Sequence, residues 1–409
     1  MPRTSIALPR PVLLSTLLCT LLASLAPAAL AQTQPVPYLM TQIAQLPEFS
    51  RGGDGVRIYG TVDMGGMYST TDNASGRWQL QSGGDYTSKL GFYASEDLGG
   101  GVKAEIKLEA GFNADTGVQQ ANALFNRESW IGLRSATLGT VRLGNQINAM
   151  LPLYIDPFLL VSTNSAYTWV GGGAMQSARG VGANTDLGPG AGTIPVRVPK
   201  SITYATPRFK GLSAQAILAT NPTGGREPKF GVRGGTLGWN AGPVYLAASL
   251  TQSWSSPVVV ASTLPAQPVR TDMPAVGAIF DNGQLVLSTS YVRIKPRLAQ
   301  SGEAELTTLG VILPRGRLTY RGSAVHRDTE GARDGAGRLV ESSALGLMFG
   351  ADYALSRRTS LYARAGSVRN FGASTIMLNG IALPFQPGST APQTGIETRT
   401  ASVGMFHHF

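Results

Sequence analysis

Residues 102–112 alternate without a slip. Val102, Ala104, Ile106, Leu108, Ala110 and Phe112 take one parity, and Lys103, Glu105, Lys107, Glu109 and Gly111 take the other. Side chains on a β-strand point alternately to opposite faces, so this segment has one oily side and one charged side. It must separate an apolar phase from a wet one. A soluble antiparallel sheet with one face on a core satisfies that demand, and so does a barrel wall between lipid and water. Taken alone the segment fits the soluble sheet better, because membrane strands are rarer. The rest of the chain decides.

Residues 1–31 carry Arg3 and Arg10, an apolar run from Val12 to Ala23, and small residues ending in Ala29-Leu30-Ala31. That is the layout of a secretory signal peptide cleaved before Gln32. Pro27 and its small neighbours end the apolar run short of a bilayer-spanning length, and Leu18 before Cys19 disfavours a lipoprotein signal. Cys19 is the single cysteine and departs with the signal, which excludes disulfides and thiolate metal sites from the exported chain. Without Arg3 and Arg10 the basic residues fall from 34 to 32 against 24 acidic ones, a net charge near +8. Such an excess suits an anionic solute or an acidic surface. Secretion and the lack of a basic-aromatic stripe argue against nucleic acid.

Beyond the signal no run of about 18 apolar residues remains, so no helical membrane span is expected. Yet 43% of residues are hydrophobic, 51 are glycine and only 14% are charged. An exported chain of this composition reads as all-β. Alternating segments recur at 56–68, 89–95, 102–112, 125–133, 140–146, 201–205, 212–220, 231–239, 244–252, 274–280, 284–294, 303–313, 317–326, 344–353, 359–368 and 398–409. Their connectors come in two kinds. Those at 97–101, 135–139, 281–283 and 355–358 have the length of hairpin turns, whereas 171–193, 255–271, 328–337 and 371–393 are long and rich in Gly and Pro. Short turns at one end and long loops at the other is the asymmetry of an outer-membrane barrel, which a soluble sandwich has no reason to adopt.

Seven motifs, in order, carry a family resemblance: Ile58-Tyr59-Gly60-Thr61-Val62-Asp63; Ser88-Lys89-Leu90-Gly91-Phe92 running on to Glu96-Asp97-Leu98-Gly99-Gly100-Gly101; Leu108-Glu109-Ala110-Gly111-Phe112-Asn113; Phe125-Asn126-Arg127; Leu138-Gly139-Thr140-Val141-Arg142-Leu143-Gly144; Asp352-Tyr353-Ala354-Leu355-Ser356-Arg357-Arg358-Thr359; and the end Val403-Gly404-Met405-Phe406-His407-His408-Phe409. With them the chain resembles the trimeric general porins of β-proteobacteria over nearly all its exported length. The resemblance implies a transmembrane 16-stranded antiparallel β-barrel, a homotrimer, and a water-filled pore narrowed by an inward-folded third loop. Sixteen-stranded barrels are too wide for side chains to fill, which agrees. It also implies contact with outer-membrane lipid and lipopolysaccharide, passage of small hydrophilic solutes and ions, and no cofactor. The last strand looks like the signal read by the barrel-assembly machinery, with Val403, Met405, His407 and Phe409 on one face.

The third loop is expected in residues 148–176, with Asp156 as the acidic side of the constriction. Lys89, Arg127 and Arg197 match the family's basic wall opposite, and Arg142 joins them from the strand alternation alone. Tyr93, Asn145, Phe406 and His408 stand where relatives often carry arginine, so a weak to moderate anion preference is expected. Glu128 and Trp130 take the opposite parity to Arg127, which a face buried between subunits could accept. The expected domains are the signal at 1–31, an N-terminal extension at 32–55 with some helical spacing over 38–49, and the barrel at 56–409.

Enzyme signatures are poor. His326, His407 and His408 are the three histidines and none has a motif partner, while the glycine clusters lack the Lys-Ser/Thr of a phosphate loop. A general diffusion porin leads. A channel selective for organic anions and a non-conducting adhesin are the alternatives.

Overall fold

The computed structural model describes residues 54–72, 75–148, 155–158, 165–166, 170, 176–177, 180–181, 184–220, 230–259, 265–298, 301–333, 338–376 and 393–409. The expected signal peptide, nearly all of the expected 32–55 extension and much of 148–176 lie outside them. Ahead of the long 148–196 connection run β1 (Gly55–Thr71), β2 (Arg77–Ser82), β3 (Lys89–Asp97), β4 (Val102–Gly111), β5 (Glu128–Ser135) and β6 (Gly139–Ile147). Within it sit the two-residue strands β7 (Gln176–Ser177) and β8 (Gly180–Val181). After it come β9 (Arg197–Ala205), β10 (Leu212–Thr220), β11 (Phe230–Ala241), β12 (Val244–Trp254), β13 (Arg270–Asp281) and β14 (Val286–Pro296). The chain ends with β15 (Glu303–Arg315), β16 (Leu318–Glu330), β17 (Ser342–Ala354), β18 (Thr359–Gly372) and β19 (Glu397–His408).

Each long strand pairs antiparallel with the next, and β1 pairs with β19 from Thr61↔His408 to Thr71↔Thr398, so the sheet closes on itself. β2 and β3 both pair with β1, the first over Met64 to Ser69 and the second over Gly55 to Thr61. They are one barrel position interrupted at 83–88, and the barrel of described residues has sixteen positions. Closure leaves no unpaired edge, which a β-structure in lipid requires because no water is there to satisfy one. The last link is local: the backbone N–H of Gly60 donates to the Phe409 carbonyl at 3.0 Å, and that of Phe409 donates back at 3.1 Å.

The alternation seen in sequence sorts the two faces. Val56, Ile58, Leu90, Ile106, Leu133, Leu237, Phe349 and Val403 are exposed on the outside of the isolated chain, the side that meets lipid or another subunit. Glu105, Lys107 and Glu109 on the opposite parity of β4 are buried inside. Side chains set the short turns: the Asn282 carboxamide oxygen accepts N–H donation from Gln284 and Leu285, and the Ser356 hydroxyl accepts from Arg358 and Thr359.

Several strands run further toward the long loops than the hydrophobic alternation indicates. β14 reaches Pro296, β16 reaches Glu330 and β13 begins at Arg270. Their outward positions there are Arg293, Lys295, Asp272 and Asp328, so the strand continues after its outer face has ceased to be oily. The parity conflict at Arg127 also resolves differently from the subunit-interface expectation. Arg127 precedes β5, and Glu128 and Trp130 face inward with it, where Glu128 pairs with Lys107.

The interior is not uniformly wet. Phe158, Ala166, Val170, Leu187 and Ile194 of the 148–196 connection pack with Met273, Ile294, Leu306, Val325 and Met348 of the inner wall. The described residues of this segment therefore pack against β13–β17, and Ile147 of β6 packs against the same cluster.

Candidate functional site

The inner wall of β3–β5 carries charges in contact with one another. Glu109 accepts a hydrogen bond from Arg127 Nε at 2.5 Å and another from the Tyr59 hydroxyl at 2.8 Å, with Lys107 Nζ 3.7 Å away. Lys107 also pairs with Glu128, which the Trp130 indole N–H reaches at 3.0 Å. Lys89 stands in the same group: it pairs in register with Gly111, and the Arg127 side chain crosses that glycine, where a Cβ would lie 2.9 Å from Arg127 Cδ. The same Cβ would lie 2.6 Å from Gln120 Oε1, so a side chain at 111 would displace both Gln120 and Arg127. Lys89, Glu109 and Arg127 are each 5% exposed or less, so the carboxylate offsets cations that would otherwise repel at close range.

One rung closer to the short turns, Glu105 accepts from Arg134 Nε at 2.5 Å and from the Tyr93 hydroxyl at 3.0 Å, with Arg142 4.0 Å away. Arg142 thus lies below Arg127, opposite Gly132 in the register, and stacks on Trp130. Arg197 sits higher, at the first position of β9, paired with Ile147. Extending the Ser129↔Asn145 pairing by two residues puts Arg127 opposite Ile147, so Lys89, Arg127 and Arg197 share a level while Arg142 does not.

Halfway round the barrel the connection is tied down. Asp156 accepts from the Ser323 hydroxyl of β16 and from Ser165, both at 2.7 Å, and Ser288 of β14 donates to the Ile155 carbonyl at 2.8 Å. Asp156 is 1% exposed, its carboxylate turned to the wall, and burial pushes its acid form well above the usual carboxylate range. Arg321 donates to the Pro157 carbonyl at 2.8 Å and to Asp352 at 2.6 Å. Arg364 bridges Asp352 and Asp85, each at 2.5 Å. Burial holds the Asp85 carboxyl up against the opposing pull of Arg364. Further along, Arg327 takes Asp186 with both NH2 contacts, at 3.0 and 2.8 Å.

Arg321, Arg327 and Arg364 were not singled out from sequence, although parity opposite exposed Tyr320 marks the first two as inward and parity opposite exposed Leu361 marks the third. Phe406 and His408, at positions where relatives often carry arginine, face inward and stack on Tyr86 at 4.7 and 5.1 Å. Val403, Met405 and Phe409 are exposed on the outer face, and His407 on that face meets the Thr359 hydroxyl at 2.8 Å.

The profile of a family described as Gram-negative porin matches residues 18–373. The chain is 28% identical over 373 residues to outer membrane porin protein 32 of Delftia acidovorans, across 87% of this chain and 94% of that one. Its identity to the major outer membrane protein P.IB of Neisseria lactamica is 26%, across 76% and 87%. Among solved structures, an anion-selective porin from Comamonas acidovorans superposes with a TM-score of 0.67 at 24% identity, over 87% of this chain and 99% of that one. A trimer form of OmpT of Vibrio cholerae gives 0.59 at 13% identity, over 87% and 99%. At these identities the two structures speak to the fold.

Proposed function

Since the chain belongs to the Gram-negative porin family, we propose that it is an outer-membrane general diffusion porin, passing small hydrophilic solutes and ions through a water-filled pore with a weak to moderate preference for anions. One observation carries the sign of that preference. In a single connected stretch of inner wall, the six cations Arg57, Lys89, Lys107, Arg127, Arg134 and Arg142 stand with three carboxylates, Glu105, Glu109 and Glu128, a surplus of three positive charges. A charged wall along a narrow aqueous path enriches the counter-ion and repels the co-ion. Lys89, Arg127 and Arg197 form the basic side of the constriction, with Arg142 nearer the short turns, level with Glu105. Asp156 acts on the opposite side by holding its loop against β16, with its carboxyl turned to the Ser323 hydroxyl of the wall.

The relative named as an anion-selective porin supports the same sign. A homotrimer in contact with lipid and lipopolysaccharide, exported with a signal at 1–31, inserted through the outer face of β19 and without enzymatic activity completes the reading. Single-channel recording of the purified protein tests it. Large ohmic conductance without block by candidate solutes is the expected result; block by one solute class would make the pore solute-selective, and no conductance would reduce the barrel to a structural or adhesive role.

A further inference from the structure

The outer face of the barrel is hollowed between β16 and β19. Leu318, Ala351, Tyr353, Leu361, Ala363 and Val403, all of outward parity, line a depression of about 490 Å³. Strand register explains it. Ala363 of β18 pairs with Ala351 on one side and Val403 on the other, and Ala365, the next outward residue, pairs with Phe349 and Ala401. Small side chains at these neighbouring positions leave a trough along β18, walled by exposed Tyr320, Phe349 and Tyr353 on the β17 side and by exposed Val403 on β19. It is apolar throughout and faces away from the pore.

At its short-turn end the trough meets exposed cations. Arg317 immediately precedes Leu318 at the start of β16, and Arg357 and Arg358 lie in the turn that joins β17 to β18, between Tyr353 and Leu361. The two turns are two strand spacings apart, about 10 Å, so their charges border one mouth. Among the described residues none of these three guanidiniums forms an ion pair, and no acid stands in 314–318 or 355–359. Arg315 beside them donates to the Gln284 and Pro314 carbonyls at 3.0 and 2.7 Å. A ligand that satisfies both parts has an apolar tail and an anionic head.

We propose that the trough and its arginines form a site for an anionic glycerophospholipid, with an acyl chain along Ala363 and Ala365 and the headgroup phosphate at Arg317, Arg357 and Arg358. The site rests on the outer-membrane porin reading, which puts the short turns on the periplasmic side, at the phospholipid leaflet. Guanidiniums take phosphate oxygens by paired, charge-assisted hydrogen bonds. Cations clustered at a membrane surface favour anionic headgroups over zwitterionic ones. Tyr320 and Tyr353, exposed just above the turns, stand where aromatic side chains mark the boundary between headgroups and hydrocarbon.

Native mass spectrometry of the purified protein in detergent tests the proposal, with phosphatidylglycerol and phosphatidylcholine of the same acyl chains added in turn. The wild type should retain phosphatidylglycerol at least about fivefold more strongly, the factor that about one arginine supplies at a membrane surface. The double variant Arg357→Gln, Arg358→Gln should lose that preference. Ala363→Phe fills the trough and should weaken retention of both lipids at least about fivefold, since each methylene it displaces contributes about a fourfold factor. Both variants should keep the wild-type open conductance in KCl, because none of these residues lines the pore. Equal retention of the two lipids by the wild type, a preference that survives the double substitution, or wild-type retention by Ala363→Phe overturns the lipid site. Loss of the oligomer in either variant with lipid retention unchanged makes this face a contact between copies and overturns it as well. A protein that shows the lipid preference but does not conduct overturns the diffusion-pore reading and leaves the lipid site standing.

Discussion

Replacing Glu109 by glutamine removes one negative charge from the wall and almost nothing of its shape. In the wild-type group Lys89, Lys107 and Arg127 face Glu109 and Glu128, a local charge of +1. Glu109→Gln raises it to +2, and Arg127→Gln lowers it to zero. A unit charge acts on an ion passing about 8 Å away with about 0.5 kcal/mol in water, and screening near 0.1 M salt roughly halves that. The energy has opposite signs for anion and cation, so their permeability ratio shifts by about 0.5 kcal/mol, or about twofold. Glu109→Gln should therefore double the anion preference and Arg127→Gln should halve it. The assay is the reversal potential in planar bilayers across a salt gradient, on protein first checked to migrate as a folded barrel. Shifts of the same sign in both variants, or no shift in either, would refute the reasoning, because the charges would then not border the path.

Three other outcomes follow from the same contacts. Burial raises the folded-state pKa of Asp156 above its unfolded value, so the folded chain holds that proton more tightly. The stability linked to it is present at low pH and declines as pH rises from the ordinary carboxylate value through the raised one; Asp156→Asn should flatten that decline above about pH 4 in denaturant titrations. Ser323→Ala removes one of two hydroxyls holding Asp156, a loss of about 1 kcal/mol, and should appear as added noise in the open-channel current. A Cβ at Gly60 would lie 2.2 Å from Phe409 Cζ and 2.7 Å from the Lys89 carbonyl, so Gly60→Val should loosen barrel closure by about 1–3 kcal/mol, measured as a lower urea midpoint.

The sixteen barrel positions were legible because inside and outside differ in polarity at every second residue across the lipid band. The segment at 102–112 was the clearest of them, and β4 follows it to Gly111. Strand ends were not legible, because above that band the outer face turns polar: Arg293 and Lys295 pair outward with Glu303, and the oily alternation stops while the ladder continues. β2 was not legible because it is only six residues long and owes its place to pairing with β1, from Met64↔Ser82 to Ser69↔Arg77. In the site, the family resemblance points to Lys89, Arg127 and Arg197 and the strand alternation to Arg142, yet the level of each depends on register, which a bulge between Gly144 and Gln146 shifts. Asp156 was legible as an acid of the segment expected to form the third loop. That its carboxylate turns to Ser323 follows from how the loop lies on β16, and no local pattern encodes it.

The central claim is that a wall with surplus positive charge borders the aqueous path. The reversal potential of the wild-type protein across a tenfold KCl gradient tests it most directly: chloride should be the more permeant ion, by a factor that shrinks as total salt rises and screening shortens the reach of the wall. A potential of the opposite sign, with potassium the more permeant ion, would contradict the account.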